Sequence, residues 1–246
     1  MTNSRHIKAA FTQKGSSWLL KAATLSVAMS AYTALAVSIQ VPESTLSILT
    51  DKTGLASGLA HRHIITASKW SGSIQLNRAS GAKGVDLTSL TSGEATITLP
   101  VKDLIVDSPE ASKGIVGVFT TAGHWSVSAD KLEPSNAEKV RENMLDESQL
   151  AAEKFPAIEG SGKFSGCEVK ASTATCQLQL TLKIRGQSVT KSVPVTMTQN
   201  GGRLAAQIFV PLRFSEFGIK AYTAMLGAIA VKDEFFLGAN LVATEK

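Results

Sequence analysis

The sequence lacks every short motif that would announce catalysis. It contains no G-x-S-x-G, H-E-x-x-H or C-x-x-C and no phosphate-binding loop. That removes the motif-bearing hydrolases, zinc proteases, dithiol oxidoreductases and nucleotide-binding loops from first consideration. Gly81-Ala82-Lys83-Gly84 is too short to cradle a phosphate and reads as a turn. Internal repeats and low-complexity linkers are also missing, so a single domain is expected. Acidic residues are absent from positions 1–36, which carry Arg5, Lys8, Lys14 and Lys21. A short apolar run from Ala22 to about Ala31 follows, then the small-residue triplet Ala34-Leu35-Ala36. This is the three-part pattern of a secretory signal, with cleavage expected after Ala36. The run is too short, and too close to Lys21, for a span of about 20 residues. The expected products are a signal over 1–36 and a domain over 37–246.

Losing the signal changes the charge argument. The chain has 25 basic and 20 acidic residues, and removing the four basic ones leaves 21 against 20. A nucleic-acid binder should be basic in its folded part, so no nucleic-acid partner is expected. Cysteine is scarce too: Cys167 and Cys176 are the whole complement. With a turn at Ala171–Ala174 they face each other across a hairpin in an oxidising, periplasmic or extracellular compartment. A bridge there would add about 2–3 kcal/mol. Two buried thiols are the other reading.

What the sequence does have is alternation. In Cys176–Leu212, Cys176, Leu178, Leu180, Leu182 and Ile184 alternate with Gln177, Gln179, Thr181, Lys183 and Arg185. Side chains on a strand point to opposite faces at period two, so this is a strand with one apolar and one wet face. Gly186-Gln187 offers a tight turn. Val189, Lys191, Val193, Val195 and Met197 then share a face, Gln199–Gly202 turns again, and Leu204, Ala206, Ile208, Val210 and Leu212 share a third. One-sided apolarity with short turns is an antiparallel meander. Pro194 has no ladder donor and belongs at an edge or bulge. Further strands are expected at Thr45–Asp51, His61–Ala67, Lys69–Asn77, Val85–Leu90, Glu94–Val101, Ala157–Phe164, Gly166–Lys170 and Phe235–Thr244. Asn136–Ala152 has helical spacing, with Ser135 and Glu138 as a capping pair. The fold class is therefore all-β: an antiparallel barrel or sandwich of about eight strands with one helix. Residues 102–134 are broken by Pro109, Gly114, Gly117 and Gly123 and form a long loop.

Histidine supplies the other candidate chemistry. His61 and His63 share a face of a strand, and with His124 they could serve a metal-dependent enzyme. No third ligand stands at a fixed spacing from the pair, so no catalytic residue and no metal site are assigned. Arg141 and the two strand histidines are candidates for the mouth of a cavity. Arg213 and Glu216 form either a surface ion pair or the anchor of a turn.

Four segments, in order, resemble the YceI-like family of secreted proteins: Arg141–Pro156, Phe155-Pro156-Ala157-Ile158, Leu182–Val189 (LKIRGQSV) and Arg213–Ile219 (RFSEFGI). The resemblance runs from about Pro42 to Ala243. Glu216 stands where the family usually has Asp, and Gly160 where an aromatic is common. The resemblance implies a lipocalin-like barrel that is not an enzyme and uses no cofactor. It implies a polyisoprenoid, isoprenoid quinone or other long-chain lipid held inside the barrel, for carriage or storage in the envelope. Alternation then nominates the ligand-lining residues Leu178, Leu180, Leu182, Ile184, Val193, Val195, Met197, Ile208 and Val210. Phe214 and Phe217, with Tyr222, Met225 and Phe235, are nominated to close one end. Transient contact with a membrane and pairing into a homodimer stay open. So does a filled barrel that acts as an interaction module through the 102–134 loop.

Overall fold

The computed structural model describes residues 32–109, 115–123 and 134–245. Twelve strands run through them: β1 (Tyr32–Ile39), β2 (Thr45–Thr53), β3 (His63–Ala67), β4 (Ser71–Ala79), β5 (Leu90–Pro100), β6 (Leu104–Val106), β7 (Ala157–Lys170), β8 (Thr173–Ile184), β9 (Gln187–Asn200), β10 (Arg203–Arg213), β11 (Thr223–Ala224) and β12 (Ile229–Glu245). Helices α1 (Val116–Thr121) and α2 (Pro134–Leu145) lie between β6 and β7. The fold is all-β and antiparallel, as alternation implies. Eight strands close a ring in the order β1-β4-β5-β7-β8-β9-β10-β12, with β12 returning to β1.

Closure rests on three pairs, Val37↔Glu245, Ser38↔Thr244 and Ile39↔Ala243. Toward its other end β12 leaves β1 and pairs with β2 from Asn240↔Thr45 to Ala230↔Thr53. Strands β3 and β6 continue that branch. The barrel wall is thus closed by β1 at one end and extended by β2-β3-β6 at the other. Within β1, Tyr32–Ala36 pair only with β4, Val37 and Ser38 pair with both β4 and β12, and Ile39 pairs with β12. A cut after Ala36 would leave the ring-closing residues in place.

Several local features follow from backbone chemistry. The β8–β9 turn is Arg185-Gly186, one residue earlier than the sequence suggests, because both adopt positive φ and Ile184 pairs with Gln187. Arg185 adopts a conformation unusual for a side-chain-bearing residue. Its guanidinium donates to the Gly218 and Glu147 carbonyls at 2.9 and 3.0 Å, tying the turn to two other loops. The Ala157–Phe164 and Gly166–Lys170 segments are one strand with a bulge. Ser165 pairs with Gln177 and Glu168 with Thr175, which leaves Gly166 and Cys167 opposite Cys176. Gly166 supplies the positive φ of the bulge. Cys167 and Cys176 are joined by a disulfide there, with Cα atoms 4.1 Å apart. Pro194 sits one residue beyond the last β9–β10 pair, Ile208↔Val195, where it is not asked to complete that ladder.

Val85–Leu90 is not a strand. Asp86 accepts from the Thr88 amide at 2.9 Å and starts a 3-10 turn over Leu87–Ser89. That turn covers the β1-closed end of the barrel: Leu87 is buried, and its amide donates to Gln199 Oε1 at 3.0 Å. The helix is shorter than its apolar spacing, ending at Leu145 rather than Ala152. Asp146 accepts from the Ser148 amide, and Ala151 turns to positive φ, so the chain leaves the helix. Ser135's side chain lies outside the described residues.

The core has two parts. The larger lies inside the barrel and includes many of its inward-facing strand residues. The smaller lies outside the wall, where Ile115, Val118 and Phe119 of α1 and its approach pack on Leu49, Ile64 and Phe236. Gly238 permits this: a Cβ there would lie 2.9 Å from a Phe119 ring carbon. The described part of the 102–134 segment thus holds β6 and α1 rather than an unbroken loop, and α1 packs against the sheet.

Candidate functional site

The barrel interior holds two adjoining chambers that share wall residues. The inner one, about 120 Å³, is walled by residues of β5, β7, β8, β9, β10 and β12 with help from β2, β3, β4 and β6. Its side chains are apolar apart from Ser47 and Ser161. A filled core would bury every inward residue. Here Ile48, Ile97, Leu99, Leu180, Ile208 and Leu237 point inward yet are only half-buried, because they face open space. Gly160 and Gly162 of β7 thin the wall opposite β8. A Cβ at Gly162 would lie 2.7 Å from a Leu178 methyl, so the Leu178 side chain would have to shift to admit one, while a Cβ at Gly160 would make an ordinary 3.4 Å contact with Leu182.

The outer chamber is larger, about 280 Å³, and differs in chemistry. Phe214, Phe217, Ile219 and Ile229 contribute apolar walls, and α2 offers Val140, Asn143 and Met144 on one face. Polar groups face it as well: Thr50, His61, His63, Asn143, Gln149 and Tyr222. Six apolar residues, Ile48, Ile65, Leu104, Ile158, Ile184 and Phe235, border both chambers. The wall that the two chambers share is therefore made of apolar side chains.

Of the residues nominated by alternation, Leu178, Leu180, Leu182, Val195, Met197 and Ile208 wall the inner chamber. Ile184 borders both, and Phe214 and Phe217 wall the outer one together with Tyr222 and Phe235. Val193 and Val210 are buried but reach neither chamber. Both have the inward parity and pack in the barrel core. Met225 is also displaced, standing largely exposed on a turn. Sequence reasoning missed the contributions of β2, β3 and β6, above all Ile48, Ile65 and Leu104. Their strands are short and mixed, and nothing in the sequence joins them to β12.

The histidines separate. His61 and His63 face the outer chamber, and His124 lies outside the described residues. His63 Nδ1 lies 2.9 Å from Asp107 Oδ2. Asp107 is itself held, because its Oδ1 accepts from the Ile64 amide at 2.9 Å and its own amide donates to the Ile64 carbonyl. The ring is fixed through Nδ1, which leaves Nε2 as its polar edge. Among the described residues no group of three histidine, cysteine, aspartate or glutamate side chains could hold a metal ion.

Arg141 supports the site without lining it. It donates to the Leu104 carbonyl at 2.8 Å and the Lys102 carbonyl at 2.5 Å, pinning α2 to β6. Glu216 anchors a turn rather than pairing with the Arg213 guanidinium. Its carboxylate accepts from the Arg213 amide at 2.9 Å and from Lys191 Nζ at 2.5 Å. Burial works to raise the Glu216 carboxyl, and the Lys191 and Arg213 bonds outweigh it, so it lies below its ordinary range. This turn carries Phe214 and Phe217 into the outer chamber.

Among the described residues no helix is long and apolar enough to cross a membrane. No curated protein matches the sequence. Solved structures share the fold, among them two at a TM-score of 0.50 or above. Burkholderia cenocepacia BcnA is 16% identical with a TM-score of 0.53, over 84% of this chain and 100% of that one. A polyisoprenoid binding domain from Saccharophagus degradans, implicated in plant cell wall breakdown, is 9% identical with a TM-score of 0.50, over 86% and 99%. At these identities the likeness speaks for the fold alone. The family model of the YceI-like domain matches residues 39–243, a span that holds every residue lining the two chambers and the Ile39↔Ala243 pair of the ring-closing ladder, and the chain belongs to the YceI-like domain family.

Proposed function

We infer that this protein binds a long apolar lipid, with an isoprenoid chain in the inner chamber and its polar end in the outer one. Its family is a binding-protein family, and one structural neighbour is described as polyisoprenoid-binding. The observation that carries the reading is the set of inward-facing, half-buried aliphatic residues around open space. Each CH₂ taken from water into such a chamber contributes about 0.8 kcal/mol. Hydrocarbon needs no polar partner, and the inner chamber offers almost none. The outer chamber supplies a few placed polar groups, as sites that orient a ligand usually do. His63, held by Asp107, is the best oriented of them.

The protein works as a carrier or store without turnover or cofactor, in the periplasm or outside the cell. The signal-like pattern before Val37 and the disulfide support export. The test is organic extraction of protein purified from its native envelope, read by mass spectrometry. A near-stoichiometric prenyl lipid or quinone is expected. Protein that comes out empty and refuses added prenyl chains would refute the reading.

A further inference from the structure

Two loops at the outer-chamber end expose apolar side chains that the lipid-binding reading does not use. Leu55, on the β2–β3 connection, is 102% exposed, and Leu226, between β11 and β12, is 110% exposed. Met225, Leu59 and Tyr222 stand exposed beside them. The two loops are fastened together. The Ala56 amide donates to the Ala228 carbonyl at 2.8 Å. Gly54, at φ +101°, approaches so closely that a Cβ would lie 2.4 Å from the Ala228 oxygen. Met225, Leu226 and Gly227 all have positive φ, at 50°, 55° and 89°. Methionine and leucine rarely adopt that conformation. The fold accepts it here while leaving Leu226 in water, so internal packing does not explain the turn.

We propose that these loops form a docking tip that inserts into an anionic bilayer surface and sets the chamber mouth against it. The occupant is argued from continuity and charge. Leu59 and Tyr222 belong to the tip and also line the outer chamber, so the apolar surface runs from the tip into the site. Segments 51–62 and 220–234 carry Lys52, Arg62, Lys220 and Lys232 against Asp51, Asp233 and Glu234, with the Asp233 carboxylate held by Ser215. Lys52 Nζ donates to the Ala60 carbonyl at 2.6 Å, while Arg62 and Lys232 both reach Asp51, at 2.9 and 2.5 Å. Asp51 thus gathers two cations behind the exposed leucines. Apolar side chains backed by a basic collar are the pattern of interfacial membrane binding, where each anchor is weak and several add. A lipid leaving the bilayer along this path enters the outer chamber without crossing open water.

The inference deepens the lipid-binding reading and rests on it for its direction, so the two are measured apart. Protein purified from its native envelope is sedimented with vesicles of phosphatidylethanolamine and phosphatidylglycerol, and its extracted lipid is quantified in parallel. The parent protein sediments with the vesicles. The Leu55→Ser/Leu226→Ser double variant keeps its melting temperature and extracted lipid but loses about tenfold or more in vesicle affinity, given the apolar area removed. Parent protein that stays in the supernatant, or a double variant that sediments equally well, overturns docking. So does a dimer that the double variant disperses while no vesicle binding is seen, which would assign the tip to a second copy of the chain. Protein that carries no lipid yet sediments through these leucines breaks the cargo reading and leaves the docking surface intact.

Discussion

The two chambers share six wall residues yet are built in different ways. The inner one is made by long strands. Period two places one apolar side chain after another on its wall, and the exclusion of polar groups follows from register alone. The outer one is made where strands end. Its wall is assembled from the start of β3, one face of α2, the Glu216-anchored turn and the approach to β12, and each piece brings both apolar and polar side chains. Strand interiors supply a chemically uniform surface. Strand ends supply a selective one, because turns release side chains from strict alternation.

The largest test of this contrast places the same charge in both chambers. Leu182→Asp puts a carboxylate among aliphatic groups with no partner, and should cost about 3–5 kcal/mol or prevent folding. Asn143→Asp, in the polar part of the outer chamber, should change stability by less than about 0.5 kcal/mol. Urea unfolding of both variants reads the difference, and similar losses in the two would erase the distinction. Next in size is the bridge at the closed end. Replacing Cys167 and Cys176 by alanine together should lower stability by about 2–3 kcal/mol and leave extracted lipid unchanged, since the bulge lies away from the outer-chamber mouth.

Gly160→Phe sharpens the comparison from inside. The new ring would enter the inner chamber, where only an ordinary contact with Leu182 awaits its Cβ. Overpacking a filled core costs about 1–3 kcal/mol. Into open space the ring should cost less than that lower bound while greatly reducing the bound lipid. A thermal melt paired with lipid extraction separates the two cases. His63→Ala makes the complementary change in the outer chamber. It should leave the quantity of bound hydrocarbon nearly intact and alter which polar ends are retained, read as the ratio of lipid classes by mass spectrometry.

The smallest effect is the dependence on pH. Asp51, Glu216 and Asp233 all lie below their ordinary values in the folded protein. For Asp51 and Glu216 burial opposes the shift and hydrogen bonds from cations and amides overcome it; for Asp233 the Ser215 bond leads. Carboxyls lowered by folding stabilise the folded state above their unfolded values. That contribution is lost as pH falls below about 4.5 for Glu216 and 3.8 for the two aspartates, through the folded values. The melting temperature should drop on acidification through that range, and Glu216→Gln should flatten the drop. A profile flat to pH 3 would remove these bonds from the account of stability.

Particular residues show how far the sequence could be read. Leu178 to Ile184 declare their inward face by alternation alone, and they are on it. Val193 and Val210 obey the same rule yet miss the chambers, because parity chooses a face of the wall and says nothing of where along the barrel the interior is empty. Val85–Leu90 looks like a strand and is a cap, because the Asp86 side chain competes for the backbone. Lys191 as the partner of Glu216 has no sequence signal, since the two meet only when β9 packs beside the turn after β10.

Period-two apolarity, paired positive-φ turn residues and the ordered family motifs are local properties of the chain. From them the sequence by itself determined an antiparallel barrel, the orientation of β8, β9 and β10, and the likeness to the YceI-like family. The branching of β12 between β1 and β2, the open space behind Leu180 and Ile208, the fixed pose of His63 and the joined loops bearing Leu55 and Leu226 were decided only in three dimensions. Each depends on contacts between residues far apart in sequence, and strand pairing and loop closure establish those contacts without any local pattern to announce them.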